Sequence, residues 1–300
     1  MKRTISNGVL TFISDNAGAE PLALRFNGDE SNYLWQDEAG AKPVTAICFP
    51  LLGALPDGAY ILEGKRYAMG MHGFAQFRDF RVAEHTEERI AYEIRDDENS
   101  REQYPYRFRL RAEYALYGST LTVTYRVKNL DSRELYFSVG GHPRFACPVR
   151  DSGGSAGFAD HFIEFEKPES IDTIVKSYAP LSAIEACFNA DRTKLRLDYA
   201  LFEKGCFCFS RLNSSFFTLK NSKNERALRF HPEGASHVQL WTMPGADYIA
   251  LEPWYGSITS LPPKPEDRVW TERPGALHIP PETEYACAYR LTCMKSKTSD

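Results

Sequence analysis

The stretch "RFRLRAEYALYGSTLTVTYRVK", residues 107–128, decides the fold class. Phe108, Leu110, Ala112, Tyr114 and Leu116 alternate with Arg107, Arg109, Arg111 and Glu113. After a Gly-Ser pair, Leu121, Val123, Tyr125 and Val127 alternate with threonine and arginine. Period two on both sides of a two-residue loop predicts a β-hairpin. If Tyr117 pairs with Thr120, Leu116 faces Leu121, Tyr114 faces Val123 and Ala112 faces Tyr125. All the apolar side chains then share one face, as a half-buried antiparallel sheet requires.

Similar segments recur outward from this one. "RIAYEIR" puts Ile90, Tyr92 and Ile94 on one side, and "AYILEGKRYAM" reads as two strands around a tight turn. "ELYFSVGG", "CFCFSRL", "FFTLK", "HVQLWT", "DYIALE" and "YACAYRLTC" each suit one strand, with turn residues between them. Residues 180–190 are the best candidate for a short helix. Many short strands and few helices predict an all-β protein, a large antiparallel β-sandwich. Without a linker-like stretch or a fixed repeat, residues 1–300 read as a single domain with a polar tail at about 294–300.

The composition narrows the function. Lysine and arginine total 36 and aspartate and glutamate 40, for a formal net charge of −4. This balance gives no reason to expect a nucleic-acid or membrane-surface partner. No apolar run approaches the roughly 20 residues that span a bilayer, and the start has no apolar core of a signal peptide. The expected location is cytoplasmic. The seven cysteines contain no C-x-x-C pair and read as reduced core thiols, with Cys206 and Cys208 on one face of a strand. Neither they nor the seven histidines have zinc-type spacing, so no metal is expected.

Four places break the strand pattern. In "LEPWYG" (251–256) an apolar strand ends in Glu252 before a proline, which puts a carboxylate in a partly buried setting. Such a group is either paired or has its pKa raised, and both occur where protons move. In "GGHPRF" (140–145) the proline holds His142 extended, and the glycines leave room for another group to approach. Arg144 alternates with His142 and points to the same side. His72 in "MHGFAQF" and Trp241 in "LWT" complete the set. Taken singly, each has a plainer reading as an ion-pair or core residue.

Together, "GAE" (18–20), "YLW" (33–35), "FPLLG" (49–53), "GKRYAMGMHGFAQ" (64–76), "YP" (104–105), "GGHPRF" and "LEPWYG" resemble the aldose 1-epimerase (galactose mutarotase) family, in its LacX-like branch. The resemblance runs from about residue 18 to 291. It implies a galactose-mutarotase-like supersandwich with a sugar cleft on one sheet. It also implies roles: Glu252 as general base at the anomeric hydroxyl, His142 as general acid at the ring oxygen, and His72 as a hydrogen-bonding partner of both. Trp241, Arg144, Asn221 and Phe74 are the expected substrate-binding residues. The expected partner is a small-molecule aldose, the expected assembly a monomer or weak homodimer, and no cofactor is called for. The sequence departs from the branch at Ala54 and Gln76, where arginine is usual, and at the sugar-binding acid, for which Asn221 is the nearest match. A hexose-6-phosphate 1-epimerase and a non-catalytic carbohydrate-binding protein remain alternatives. The thin provision of arginines favours unphosphorylated aldoses.

Overall fold

The computed structural model describes residues 1–36, 46–148, 155–223 and 226–295. The expected polar tail beyond residue 295 lies outside the described residues. The hairpin is formed by Phe108–Tyr117 and Thr120–Asn129 in the expected register, with Leu121 opposite Leu116, Val123 opposite Tyr114 and Tyr125 opposite Ala112. Its apolar residues are buried and the intervening threonines partly exposed.

This hairpin lies within a nine-stranded antiparallel sheet. The order is Lys194–Arg196, His161–Phe165, Phe217–Asn221, Ala227–His231, Glu284–Met294, the two hairpin strands, Arg89–Arg95 and Arg81–His85. A second sheet carries, in order, Ile174–Ser177, Phe207–Phe209, His237–Trp241, Tyr248–Tyr255, Val139–His142 and Ala46–Cys48, with Arg144–Ala146 also paired to Tyr248–Tyr255. Phe207, Phe209, Val238, Leu240, Ile249 and Leu251 of this sheet join one continuous core with Leu110, Val123, Phe217, Phe230 and Tyr289 of the nine-stranded sheet. The all-β sandwich expected from the alternation is what forms.

The local details show what alternation can and cannot specify. Ala59–Leu62 and Lys65–Ala68 form the second expected hairpin, and Leu181–Glu185 is the expected short helix. "ELYFSVGG" is divided at Ser138. Leu135–Phe137 pairs with Leu277–Ile279, and Val139–His142 enters the second sheet. The helix Glu98–Gln103 escaped the strand reading. It starts at Asp97, whose side chain accepts the Ser100 N–H while Ser100 Oγ accepts the Asp97 N–H, a reciprocal cap. All seven cysteines are buried free thiols. No helix among the described residues is long and apolar enough to cross a membrane.

Candidate active site

The second sheet has one face on the core and one facing away from it. Directly paired residues of antiparallel strands point to the same side. Because Val238, Leu240, Ile249 and Leu251 point inward, their alternates Gln239, Trp241, Ala250 and Glu252 point outward. The register places Gln239 opposite Glu252, Trp241 opposite Ala250, and Arg144 opposite Ala250 on the other side. The outward face thus gathers Glu252, Gln239, Trp241 and Arg144 from three strands.

His142 ends the Val139–His142 strand, which pairs Gly140 with Trp254 on one side and His142 with Ala46 on the other. The paired glycines allow this fit. A Cβ at Gly140 would lie 2.7 Å from the Pro253 carbonyl oxygen and 2.8 Å from Trp254 Cδ1. One on Gly141 would meet the Tyr125 hydroxyl at 3.0 Å. His72 arrives on a turn rather than a strand. Its φ is 61°, that of Gly73 is 72°, and a Cβ on Gly73 would fall 2.2 Å from the Phe49 carbonyl oxygen. The glycine therefore lets the His72 turn press against the Phe49 backbone.

Glu252 is fully buried, at 0% exposure. Its Oε1 accepts from Gln239 Nε2 at 3.0 Å and lies 3.4 Å from His142 Nε2. Among the described residues its Oε2 has no hydrogen-bond partner. Burial pushes its pKa up to about 8, against the opposing pull of the Gln239 hydrogen bond and the charges of Arg144 and Lys176. The Gln239 amide is itself oriented, because its Oε1 accepts from the Cys206 thiol at 3.0 Å, which turns Nε2 toward the carboxylate. Burial also drives the His142 pKa well below its usual value, helped by His72 and Arg144. Two groups each pushed toward neutrality, 3.4 Å apart, hold one proton between them over the neutral range.

The His72 ring stands edge-on to His142 with centroids 5.3 Å apart. Its Nδ1 accepts the Gly53 N–H at 3.1 Å, so the neutral ring carries its hydrogen on Nε2 and is a donor there. Burial lowers its pKa to about 4. On the other side of His142 the Trp241 ring is 5.6 Å away. The Arg144 guanidinium lies 5.2 Å from the Tyr248 ring, 5.3 Å from Trp241 and 5.9 Å from Trp35. The indole N–H of Trp35 donates to Asp247 at 2.5 Å.

Glu252, His142, His72, Trp241 and Arg144 are therefore brought together. Two expected residues are not. Phe74 is a core residue, its ring packed 6.0 Å from Phe108 and 6.3 Å from both Phe49 and Tyr104. The positive φ of Gly73 turns the chain so that the histidine and the phenylalanine of the motif serve different places. Asn221 ends a strand of the nine-stranded sheet opposite His161, where its side-chain oxygen accepts the Lys223 N–H. It is not a residue of this site. Cys206 and Cys208 are buried as expected, but on the outward face rather than in the core between the sheets.

Sequence reasoning missed Gln239, Trp35, Tyr248 and Lys176. Gln239 was within reach, since it stands two residues before Trp241 on the same strand face. Among the described residues no group of three or more His, Cys, Asp or Glu side chains is placed to hold a metal ion.

Comparison with known proteins agrees with this fold. The aldose 1-epimerase family model matches residues 1–271. The chromosomally encoded protein LacX of Lactococcus lactis is 28% identical over 96% of this chain and 94% of its own length. A crystal structure of a galactose mutarotase related enzyme from Lactobacillus acidophilus superposes with a TM-score of 0.85 at 25% identity, covering 99% of both chains. A galactose mutarotase-like protein from Lactobacillus casei has the same fold, with a TM-score of 0.82 at 21% identity over 98% of this chain and all of the other. The chain belongs to the aldose 1-epimerase family.

Proposed function

We propose that this protein is an aldose 1-epimerase that interconverts the α and β anomers of an aldohexose. The observation carrying the reading is the buried Glu252–His142 pair, 3.4 Å apart, with Oε2 of the carboxylate unpartnered among the described residues. Opening a cyclic hemiacetal takes a proton from O1 and gives one to O5, and closing it on the other face reverses both transfers. In the active tautomer the proton is on His142 and Glu252 is ionised; the charges of Arg144 and Lys176 favour the ionised carboxylate. Glu252 takes the O1 proton as C1=O1 forms. The C1–O5 bond breaks with its electrons passing to O5, which takes the proton from His142. The pair holds one proton before and after, so the site needs no recharging between turnovers. His72, a donor at Nε2, steadies the sugar oxygens through the step. Trp241 covers an apolar face of the pyranose.

A non-catalytic binder would gain nothing from a fully buried carboxylate whose second oxygen has no partner, because such a group costs stability. The test is polarimetric. Freshly dissolved α-D-glucose or α-D-galactose should lose its excess rotation faster with the protein than in buffer, with no change on adding EDTA. Buffer-rate mutarotation for a panel of neutral and acidic aldoses and their 6-phosphates would overturn the reading.

A further inference from the structure

Resting on that reading, we propose that Lys176 selects the substrate by receiving a carboxylate at the non-anomeric end of the sugar, so that hexuronates are preferred over neutral hexoses. The register of four strands lines up Lys176 with Cys208, Cys208 with Gln239, and Gln239 with Glu252. Directly paired residues share a face, so this row runs across the outward side of the sheet with the lysine at one end and the carboxylate at the other. Three strand spacings separate the ends, about 14 Å between Cα atoms. The four-carbon stem of Lys176 and the side chain of Glu252 each cover part of that span, and the remainder suits one pyranose ring. Cys206 and Gln239, which line the cavity there, form the floor beneath it.

A cavity of about 270 Å³ occupies this end of the cleft. Its walls include Gly53, Gln239 and Trp254, neighbours of His72 and Glu252, and Lys176 and Tyr178 on the far side. Ala54, which carries no charge, also lines it. The lysine thus brings a cation from the sheet edge into the cavity that the alanine leaves without one. Gly205 shapes the same wall, since a Cβ there would come within 2.7 Å of the Tyr178 ring.

Lys176 is half-buried and makes no ion pair among the described residues, where its only charge-specific contact is the Tyr178 ring at 6.0 Å. Arg144, on the opposite side of Glu252, makes none either and rests on aromatic faces. Arg144 and Lys176 flank a Glu252–His142 pair that carries no net charge while it holds one proton. Only Lys176 of the two lines the cavity, so the non-anomeric end of a ligand meets a single positive charge. A phosphate monoester with up to two charges is usually met by arginine forks or helix N-termini, and a single lysine point charge is a weaker match.

The experiment compares kcat/KM for D-galacturonate, D-galactose and D-galactose 6-phosphate at fixed ionic strength, in wild type and in Lys176→Met and Lys176→Arg. The expected result is at least tenfold preference for galacturonate over galactose, lost in Lys176→Met and largely kept in Lys176→Arg. Lys176→Met should lower kcat/KM for galacturonate at least tenfold more than it lowers kcat/KM for galactose. The melting temperature of wild type should rise more with galacturonate than with equimolar galactose, a readout independent of turnover. Equal kcat/KM for the acid and the neutral sugar overturns this inference and leaves the epimerase reading standing. A preference for the phosphate ester overturns the choice of carboxylate. Turnover of none of the three, with no thermal shift, overturns both.

Discussion

At the scale of single residues, Glu252 is the proposed base and also carries a cost. Its pKa in the folded chain is about 8, against an ordinary 4.5. Below pH 4.5 the group is protonated in both the folded and unfolded chains and makes no difference. Between 4.5 and 8 only the unfolded chain gives up the proton, so stability falls as pH rises. Above 8 the folded chain bears an ionised buried carboxylate, at a cost on the order of a few kcal/mol. Glu252→Gln should therefore melt higher than wild type at pH 9, with the gap shrinking toward pH 5; a gap constant across that range in thermal melts would refute the assignment. Glu252 and His142 were legible in the sequence because each violates a strand rule, an acid ending an apolar run and a histidine between glycines and proline. Lys176 violates none, and only its register with Cys208 places it in the cleft. Phe74 was misread because neighbours in a motif need not be neighbours in space once a left-handed turn comes between them.

Among elements, the Val139–His142 strand sets the geometry of the site. Its glycines let it lie against Trp254 and the Pro253 carbonyl on one side and the tyrosine hydroxyls of the opposing sheet on the other. A methyl group at Gly140 must push the strand off its neighbour. Gly140→Ala should cost about 1–3 kcal/mol in a denaturant melt, and should lower kcat by shifting His142 relative to Glu252. A variant as stable and as active as wild type would show that the strand position does not matter. Period-two alternation made the 107–128 hairpin legible down to its register. It could not show that "ELYFSVGG" splits at Ser138, because both pieces alternate and the change of partner is a long-range choice. The Glu98–Gln103 helix was hidden for another reason. It is polar and barely more than one turn, so it has no apolar periodicity, and its cap at Asp97 and Ser100 is its main sequence signal.

For the whole molecule, strand content and the sandwich class follow from the alternation, but the grouping of strands into the two large sheets does not. The strand bearing His142 and the strand bearing Glu252 are far apart in sequence, yet they pair to put an imidazole and a carboxylate 3.4 Å apart. Motif order hinted at that meeting; the paired sheets bring it about. The core between the sheets supports the inner side of this arrangement, and the outer side is left for a ligand. The central claim is that this pair, sharing one proton, moves protons between O1 and O5 of a sugar. The most direct test is kcat/KM for anomer exchange from pH 5 to 10, by polarimetry, in wild type and in a folded Glu252→Gln. The expected wild-type profile is bell-shaped, falling above about pH 8 as the pair loses its proton and at low pH as it gains a second. The variant should be slower by roughly 10²-fold or more throughout. A folded Glu252→Gln as fast as wild type would contradict the account.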